Sequence, residues 1–364
     1  MPYMKNGVIP NKNITSNKER MEALWKYEKP DRVPVSGFSG GFPNVSAGYP
    51  VRSAYDDPHT TFETQLKIAE QFDWVLEPQV FHHTILAGWD FGGEIAMPDR
   101  DYKAAVSIIS NPVKTEEDVW NLRMPDPKTA GGLIAAMEFA KLQEKNGLQV
   151  TLYVRSPFSA AANICGLETF CKWMIRKPEL CDRLTRMATD HILDVLQVWT
   201  STFGAEKLLF MMSSPNESNQ IISPNHLEKL AIPYHIELHK RLNDIGIRRF
   251  FFHICGEQNL NLPYLADLSY LWPKPSILSF GHEISLDAAA KYFPNHIIYG
   301  NIEPAVIHTG TSKQVYDLSK IAIEQGKKMD GGFILGPGCE IPVLSSPENV
   351  FAMTKAVEDF GWYK

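Results

Sequence analysis

The sequence predicts an α/β protein built as a single (β/α)8 TIM barrel. Three observations carry this expectation. Short apolar runs recur along the chain and alternate with amphipathic helical stretches. Most runs lack strict in–out alternation, as parallel strands buried on both faces do. No glycine-rich phosphate loop follows the first run, which argues against an open doubly wound sheet, the competing arrangement.

The candidate strands are residues 33–38, 74–80, 149–154, 207–212, 249–254, 276–280, 296–299 and 332–335. Eight strands alternating with helices close naturally into a barrel. The helices between them have readable starts. Ser223 and Pro224 form a cap and a first turn before HLEKLAIPYHIELHKRL. Ser346 and Pro347 do the same for ENVFAMTKAVEDF, whose Val350, Met353, Val357 and Phe360 make one stripe, and Gly361 supplies a stop. Thr311 with Gln314 reads as a capping box. Residues 178–199 place Leu180, Leu184, Met187, Ile192 and Leu196 on one face of a long helix.

Residues 1–30 read as an N-terminal helical extension, and residues 31–364 as the barrel catalytic domain. Within it, residues 81–147 form a partly helical insertion after the second strand, expected to cap the barrel.

Composition narrows the function classes. The chain has 364 residues, 44% hydrophobic and 21% charged, enough for a large core. Net charge is −6 with no basic block, so no nucleic-acid footprint is visible. The N-terminus lacks the apolar core of a signal peptide. No apolar stretch approaches the roughly 20 residues that cross a bilayer. Five cysteines, an odd number, fit a reducing cytoplasm better than a disulfide framework.

In such barrels the active site lies at the carboxyl ends of the strands. That rule picks Ser39-Gly40-Gly41-Phe42 after the first strand, and His82 and His83 after the second. It picks Arg155, Ser156, Pro157 and Phe158 after the third, and Ser213 to Glu217 after the fourth. The fifth delivers His253 and Cys255, the sixth His282 and Glu283, the seventh Asn301 and Glu303, the eighth Cys339 and Glu340.

His253, Cys255 and Cys339 form the ligand type of zinc. His253 and Cys255 are two apart and share a side of the strand. Three protein ligands with one exchangeable position describe a catalytic rather than a structural zinc. Taken singly, each could be a hydrogen-bonded core histidine or a small buried hydrophobe. Their joint position at strand ends favours the metal. Gly336 and Gly338, with Pro337 between them, predict a turn that aims the Cys339 thiolate. Cys165, Cys171 and Cys181 fall in helices and read as core packing.

Glu217, Glu283 and His282 are the candidate catalytic residues, the two carboxylates also being candidates for the metal's fourth position or for ordinary loop positions. Phe38, Phe42, His83, Trp89, Phe158 and Asn301 are the candidate substrate-binding residues. The rings offer stacking for an aromatic substrate, and also fit lid packing. The pair His82-His83 could line the pocket or lie exposed.

HICG at 253–256 and GPGCEIP at 336–342 carry a resemblance. The chain resembles the uroporphyrinogen decarboxylase superfamily, in its zinc-dependent corrinoid (methylcobamide) methyltransferase branch. SPFSAAANICGLETF at 156–170, IISPNHLEKLAIPY at 221–234 and YGNIEPAVIHTGT at 299–311 support it, so it covers most of the chain from about residue 30. The resemblance implies that His253, Cys255 and Cys339 hold Zn2+. It also implies methyl transfer between a small substrate and the cobalt of a separate corrinoid protein. True decarboxylases have an arginine-rich segment after the first strand to grip carboxylates. Here that segment is SGFSGGFPNVSAGYP, with no arginine until Arg52, which disfavours decarboxylation.

Zinc can polarise the oxygen of a methyl ether or activate a thiol. Two thiolate ligands weaken it as an acid and favour the thiol. The rings favour demethylation of a small aromatic methyl ether, which is the expected function, with methyl transfer to a thiol as the alternative. A barrel that only binds a ligand is the remaining reading. A cytoplasmic enzyme with a corrinoid protein and a small methylated substrate as partners follows, and homo-oligomerisation stays open.

Overall fold

The computed structural model describes residues 16–76, 78–79, 86–98, 103 and 105–363. An antiparallel pair comes first, β1 (Glu94–Ala96) with β2 (Ser107–Ser110). Six parallel strands follow: β3 (Val150–Arg155), β4 (Leu208–Ser213), β5 (Arg249–Ile254), β6 (Ile277–Phe280), β7 (Ile297–Ile302) and β8 (Phe333–Pro337). They lie in chain order in one sheet. Every crossover between them carries helix, as parallel pairing requires.

The expected first two strands are extended segments rather than regular strands, and they fill the remaining places in the ring. Leu335 N–H donates to Pro34 O at 2.9 Å and Ser36 N–H donates to Leu335 O at 2.9 Å, so 33–38 lies beside β8. Val75 N–H donates to Val35 O at 2.9 Å, which sets the second segment beside the first. Regular pairing fails for local reasons. Pro34 has no N–H to give, and Leu76 takes a left-handed φ of 70° that ends the extended run. Residues 77 and 80 of that expected strand lie outside the described residues.

A side chain spans the seam between the second segment and β3. Gln143 is fully buried, and its amide donates to Pro78 O at 2.9 Å while its Oε1 accepts from Thr151 N–H at 3.0 Å. One amide thus satisfies backbone groups that a ladder would otherwise pair.

The barrel interior and its outer jacket form separate cores. Phe38, Val75, Leu209, Met211, Phe251, Ile277, Ile297, Tyr299 and Ile334 fill the inside. The alternate residues, such as Leu152, Val154, Phe210, Met212, Phe250 and Phe252, pack outward against helices. The helix Asn17–Trp25, within the expected extension 1–30, sends Met21 and Leu24 into the inner cluster and plugs the amino end. Residues 1–15 of that extension, and 81–85, 99–102 and 104 of the expected insertion, lie outside the described residues. The rest of 81–147 carries β1, β2 and three helices.

The expected caps form. Ser223, Ser346 and Thr311 accept from the N–H groups of His226, Asn349 and Gln314. The segment after Ser223 divides into helices Pro224–Leu230 and Ile232–Ile245, because Pro233 cannot continue the hydrogen-bond ladder. The helix Pro178–Phe203 runs past its expected end to Gly204, with φ 87°. No helix among the described residues is long and apolar enough to cross a membrane.

Candidate metal centre

β5 brings His253 to the barrel mouth and ends one residue before Cys255. Gly256 follows with φ 73°, a left-handed turn that swings the chain away while the thiol stays at the mouth. From β8, the strand continues through Pro337, further than the expected turn, and Gly338 then passes close to the loop after β6. A Cβ at position 338 would meet His282 N at 2.9 Å, so only glycine lets the two loops approach. That approach sets Cys339 opposite Cys255.

The three ligand atoms of His253, Cys255 and Cys339 lie within 4.8 Å of one another. The two sulfurs are 4.0 Å apart and both thiols are free. His253 is 2% exposed, and its Nδ1 lies 3.0 Å from Ser279 Oγ. That contact turns Nε2 toward the sulfurs, where it is buried with no hydrogen-bond partner. A buried imidazole nitrogen without a partner is costly, and a cation there would satisfy it.

The donor set fits zinc in dimension as well as type. Tetrahedral zinc with sulfurs at about 2.3 Å separates them by about 3.8 Å. The Cys255–Cys339 separation is 4.0 Å, far beyond a disulfide. The thiols differ in acidity. Cys255 is held below its ordinary range, first because Cys339 S–H donates to it, with help from the Arg155 cation against the cost of burial and the Glu283 charge. Cys339 is pushed up because it keeps the shared proton, and burial adds to this. Cys255 therefore ionises first.

The other expected site residues separate into those the fold brings to the centre and those it does not. Phe38 stands beside the cluster, its ring centroid 5.2 Å from that of His253. Glu283 acts electrostatically on Cys255, and its Oε2 lies 3.5 Å from His282 Nδ1. His282 Nε2 lies 3.8 Å from Glu303 Oε1, and its side chain is 43% exposed. Asn301 donates from its amide to Ile284 O at 2.7 Å, so it braces the loop after β6.

Glu217 is placed differently from the expectation. It is fully buried, its Oε1 accepts from Ser156 Oγ at 2.5 Å, and His235 Nε2 lies 3.0 Å from Oε2. Its carboxylate is committed to the barrel wall. Phe42 and Phe158 also depart from the expected pocket lining. Phe42 packs on Phe72 and Phe158 on Phe170, both fully buried in the outer core. The helices that carry them turn those rings away from the barrel axis. Trp89 is half-buried on the short helix Ala87–Asp90 and makes no ring contact among the described residues. His82 and His83 lie outside the described residues. Cys165 and Cys181 pack in the core as expected, and burial pushes the Cys165 thiol up to about 12.

Ser279 and His235 escaped the sequence reading. Ser279 is the one polar residue in the run ILSF of β6, and that oddity was its only local signal. His235 is a polar residue on the buried face of its helix, which only packing reveals.

The profile of the uroporphyrinogen decarboxylase (URO-D) family matches residues 16–360. The chain belongs to the uroporphyrinogen decarboxylase family. Within it, the chain is 22% identical over 354 residues to the methylcobamide:CoM methyltransferase MtaA of Methanosarcina barkeri, across 94% of this chain and 98% of that protein. It is 23% identical over 264 residues to a uroporphyrinogen decarboxylase of Anaeromyxobacter sp., across 70% and 71% of the two. The solved structure of a methyltransferase from Methanosarcina mazei superposes with a TM-score of 0.78 at 22% identity, covering 95% of this chain and 99% of that one. That likeness shows the family's barrel fold. These relatives include both a methyltransferase and a decarboxylase.

Proposed function

We propose that this protein is a zinc-dependent methyltransferase that moves a methyl group between a small substrate and the cobalt of a corrinoid on a partner protein. The orphaned Nε2 of His253 facing two thiols at tetrahedral spacing carries the proposal. The length-wide similarity to a methylcobamide:CoM methyltransferase supports it. A decarboxylase of an octa-acid needs several cations, and the segment after the first strand place supplies none before Arg52, which is paired with Asp56.

His253, Cys255 and Cys339 would hold the ion, which would supply Lewis acidity toward a substrate sulfur or oxygen at the fourth position. The remaining chemistry belongs to the chain. Ser279 fixes the His253 tautomer and ring angle. Phe38 forms an apolar wall beside the ligands, excluding water from one side. His282 and Glu283, half-exposed at the rim, take up the substrate proton and pass it to solvent.

A thiol is the better-supported methyl acceptor. Two thiolate ligands damp the acidity of the metal, which suits a group that ionises readily. The aromatic methyl ether is the second reading. Phe38 beside His253 favours it, but the outward packing of Phe42 and Phe158 removes two of the rings that suggested it.

The test is spectroscopic. Zinc-loaded protein is mixed with methylcobalamin and a panel of thiols, and separately with reduced cobalamin and a panel of methyl ethers, methanol and methylamines. Demethylation of methylcobalamin by a thiol is the expected result. Silence across both panels, with carbon dioxide released from a porphyrinogen, would overturn the proposal.

A further inference from the structure

The ladder between β4 and β5 ends at the pair Ser213 and His253. Cys255 lies two residues further on, past the end of β5, so strand pairing does not fix its thiol. Gly256, with φ 73°, turns the chain away at once. A ligand carried on such a turn needs a separate hold, because a metal site tolerates only about 0.2 Å in its bond lengths.

Gln258 supplies that hold. Its side chain is fully buried and folds back over its own turn, where Nε2 donates to Cys255 O at 3.0 Å. The same nitrogen donates to Ser214 O and to Ser214 Oγ, both at 3.2 Å. Ser214 opens the turn after β4, and its own N–H donates to His253 O at 3.2 Å. One circuit of hydrogen bonds thus runs from His253 O through Ser214 and Gln258 to Cys255 O. It holds the backbone of two ligands against the end of β4.

The chemistry of the contacts selects an amide. Two carbonyl oxygens converge on Nε2, so an N–H donor must stand there, while Oε1 accepts from Asn261 Nδ2 at 3.4 Å. A carboxylate of the same shape has no N–H to give. An apolar side chain of the same length breaks the circuit altogether.

We propose that Gln258 is a positioning residue of the metal centre, setting the place and direction of the Cys255 thiol through the turn that carries it. The proposal rests on the reading of His253, Cys255 and Cys339 as metal ligands. Cys255 is one corner of the tetrahedron, so a shift of its turn also moves the fourth position, where the substrate atom would sit. Gln258 itself touches neither metal nor substrate, and acts only through Cys255.

Gln258→Met tests it, since methionine keeps the length and removes the donor. Zinc affinity is measured on folded protein by competition with a chromophoric chelator. Cobalt(II)-loaded protein gives a second readout, because sulfur-to-cobalt charge transfer reports the thiolates and the visible bands report tetrahedral geometry. Zinc affinity is expected to fall by roughly 10–100-fold, as for other partners that orient ligands. The cobalt spectrum should lose charge-transfer intensity. Glu217→Ala is the control: Glu217 braces the same turn after β4 without touching Cys255. That variant should unfold more readily yet keep the zinc affinity and cobalt spectrum of the unaltered protein.

Unaltered zinc affinity and an unaltered cobalt spectrum in Gln258→Met overturn the proposal. Equal losses in Gln258→Met and Glu217→Ala would make the amide ordinary support for the wall, and also overturn it. If Gln258→Met does not fold, Gln258→Glu is read in the same way, with at least as large a loss expected. Failure of both to fold assigns the amide to folding and overturns the positioning role. The metal reading fails separately, when the unaltered protein binds neither ion. Amide-dependent zinc binding without methyl transfer in the cobalamin assay leaves the positioning role standing and removes the proposed activity.

Discussion

His253 and Ser279 face each other across β5 and β6, paired in register, with imidazole Nδ1 3.0 Å from the hydroxyl Oγ. Ser279 is 1% exposed, so this contact has no competing water-filled space. It leaves Nε2 as the only imidazole atom able to meet a metal. The orientation of a ligand from one strand is thus fixed by its neighbour.

Ser279→Ala should keep the fold but weaken the centre. Loss of a partner to a ligating histidine costs roughly 10–100-fold in metal affinity. Competition for zinc against a chromophoric chelator measures it. An affinity equal to that of the unaltered protein would show that the hydroxyl does not orient the ring.

Removal of a ligand should be more drastic. Cys339→Ala and Cys255→Ala are each expected to lose most bound zinc, read by elemental analysis of protein purified without added metal. Thiol titration gives a second readout. Metal-free native protein should react at Cys255 and Cys339 faster than zinc-loaded protein, while Cys165 and Cys181 stay protected in the core. Stoichiometric zinc in the Cys339→Ala protein would remove that residue from the ligand set.

Glu217 separates a wall role from a catalytic one. Its carboxylate joins Ser156 on the turn after β3 to His235 on a jacket helix. Glu217→Ala leaves His235 and Ser156 without a partner and should destabilise the fold by about 3 kcal/mol. Denaturant unfolding measures that, and zinc per folded molecule should hold. Loss of zinc with little change in stability would return Glu217 to the metal's fourth position.

His296 makes stability depend on pH at a place remote from the centre. It is 3% exposed, and Ser276 N–H donates to its Nδ1 at 3.1 Å, which requires a neutral ring. Burial, aided by the nearby Lys274, pushes its pKa down to about 4. The unfolded chain titrates near 6.5, so it binds more protons than the native state between those values. The contribution is fully present above about pH 6.5 and is lost as pH falls toward 4, on the order of 3 kcal/mol. Unfolding of the native protein and of His296→Gln across that window should show a steeper decline for the native protein. Parallel curves would exclude His296 as the source.

Several elements of this molecule were legible in the chain alone. The apolar runs that became β3 to β8 were long enough to read, as were the caps at Ser223, Thr311 and Ser346, because both signals are local. The trio His253, Cys255 and Cys339 was legible too, since its residue types are specific and the barrel rule places strand ends together. The first two strand places were less so. Pro34 and the left-handed Leu76 break the regular pairing, while the apolar pattern that pulls those segments into the ring is unaffected.

Side-chain direction on helices and contacts across strands were decided only in three dimensions. Phe42 and Phe158 have the composition of pocket residues, and helix orientation turns them outward. Glu217 has the chemistry of a ligand, and a histidine eighteen residues away claims it. Ser279 carries no local mark of function. Its role depends on which residue stands opposite in the sheet, and register is a property of the assembled barrel. The sequence by itself determined the barrel and the zinc-type trio, because hydrophobic period and ligand chemistry are written residue by residue. Tertiary structure alone decided how the trio is oriented and which carboxylates are held away from it, because those depend on distances between segments far apart in the chain.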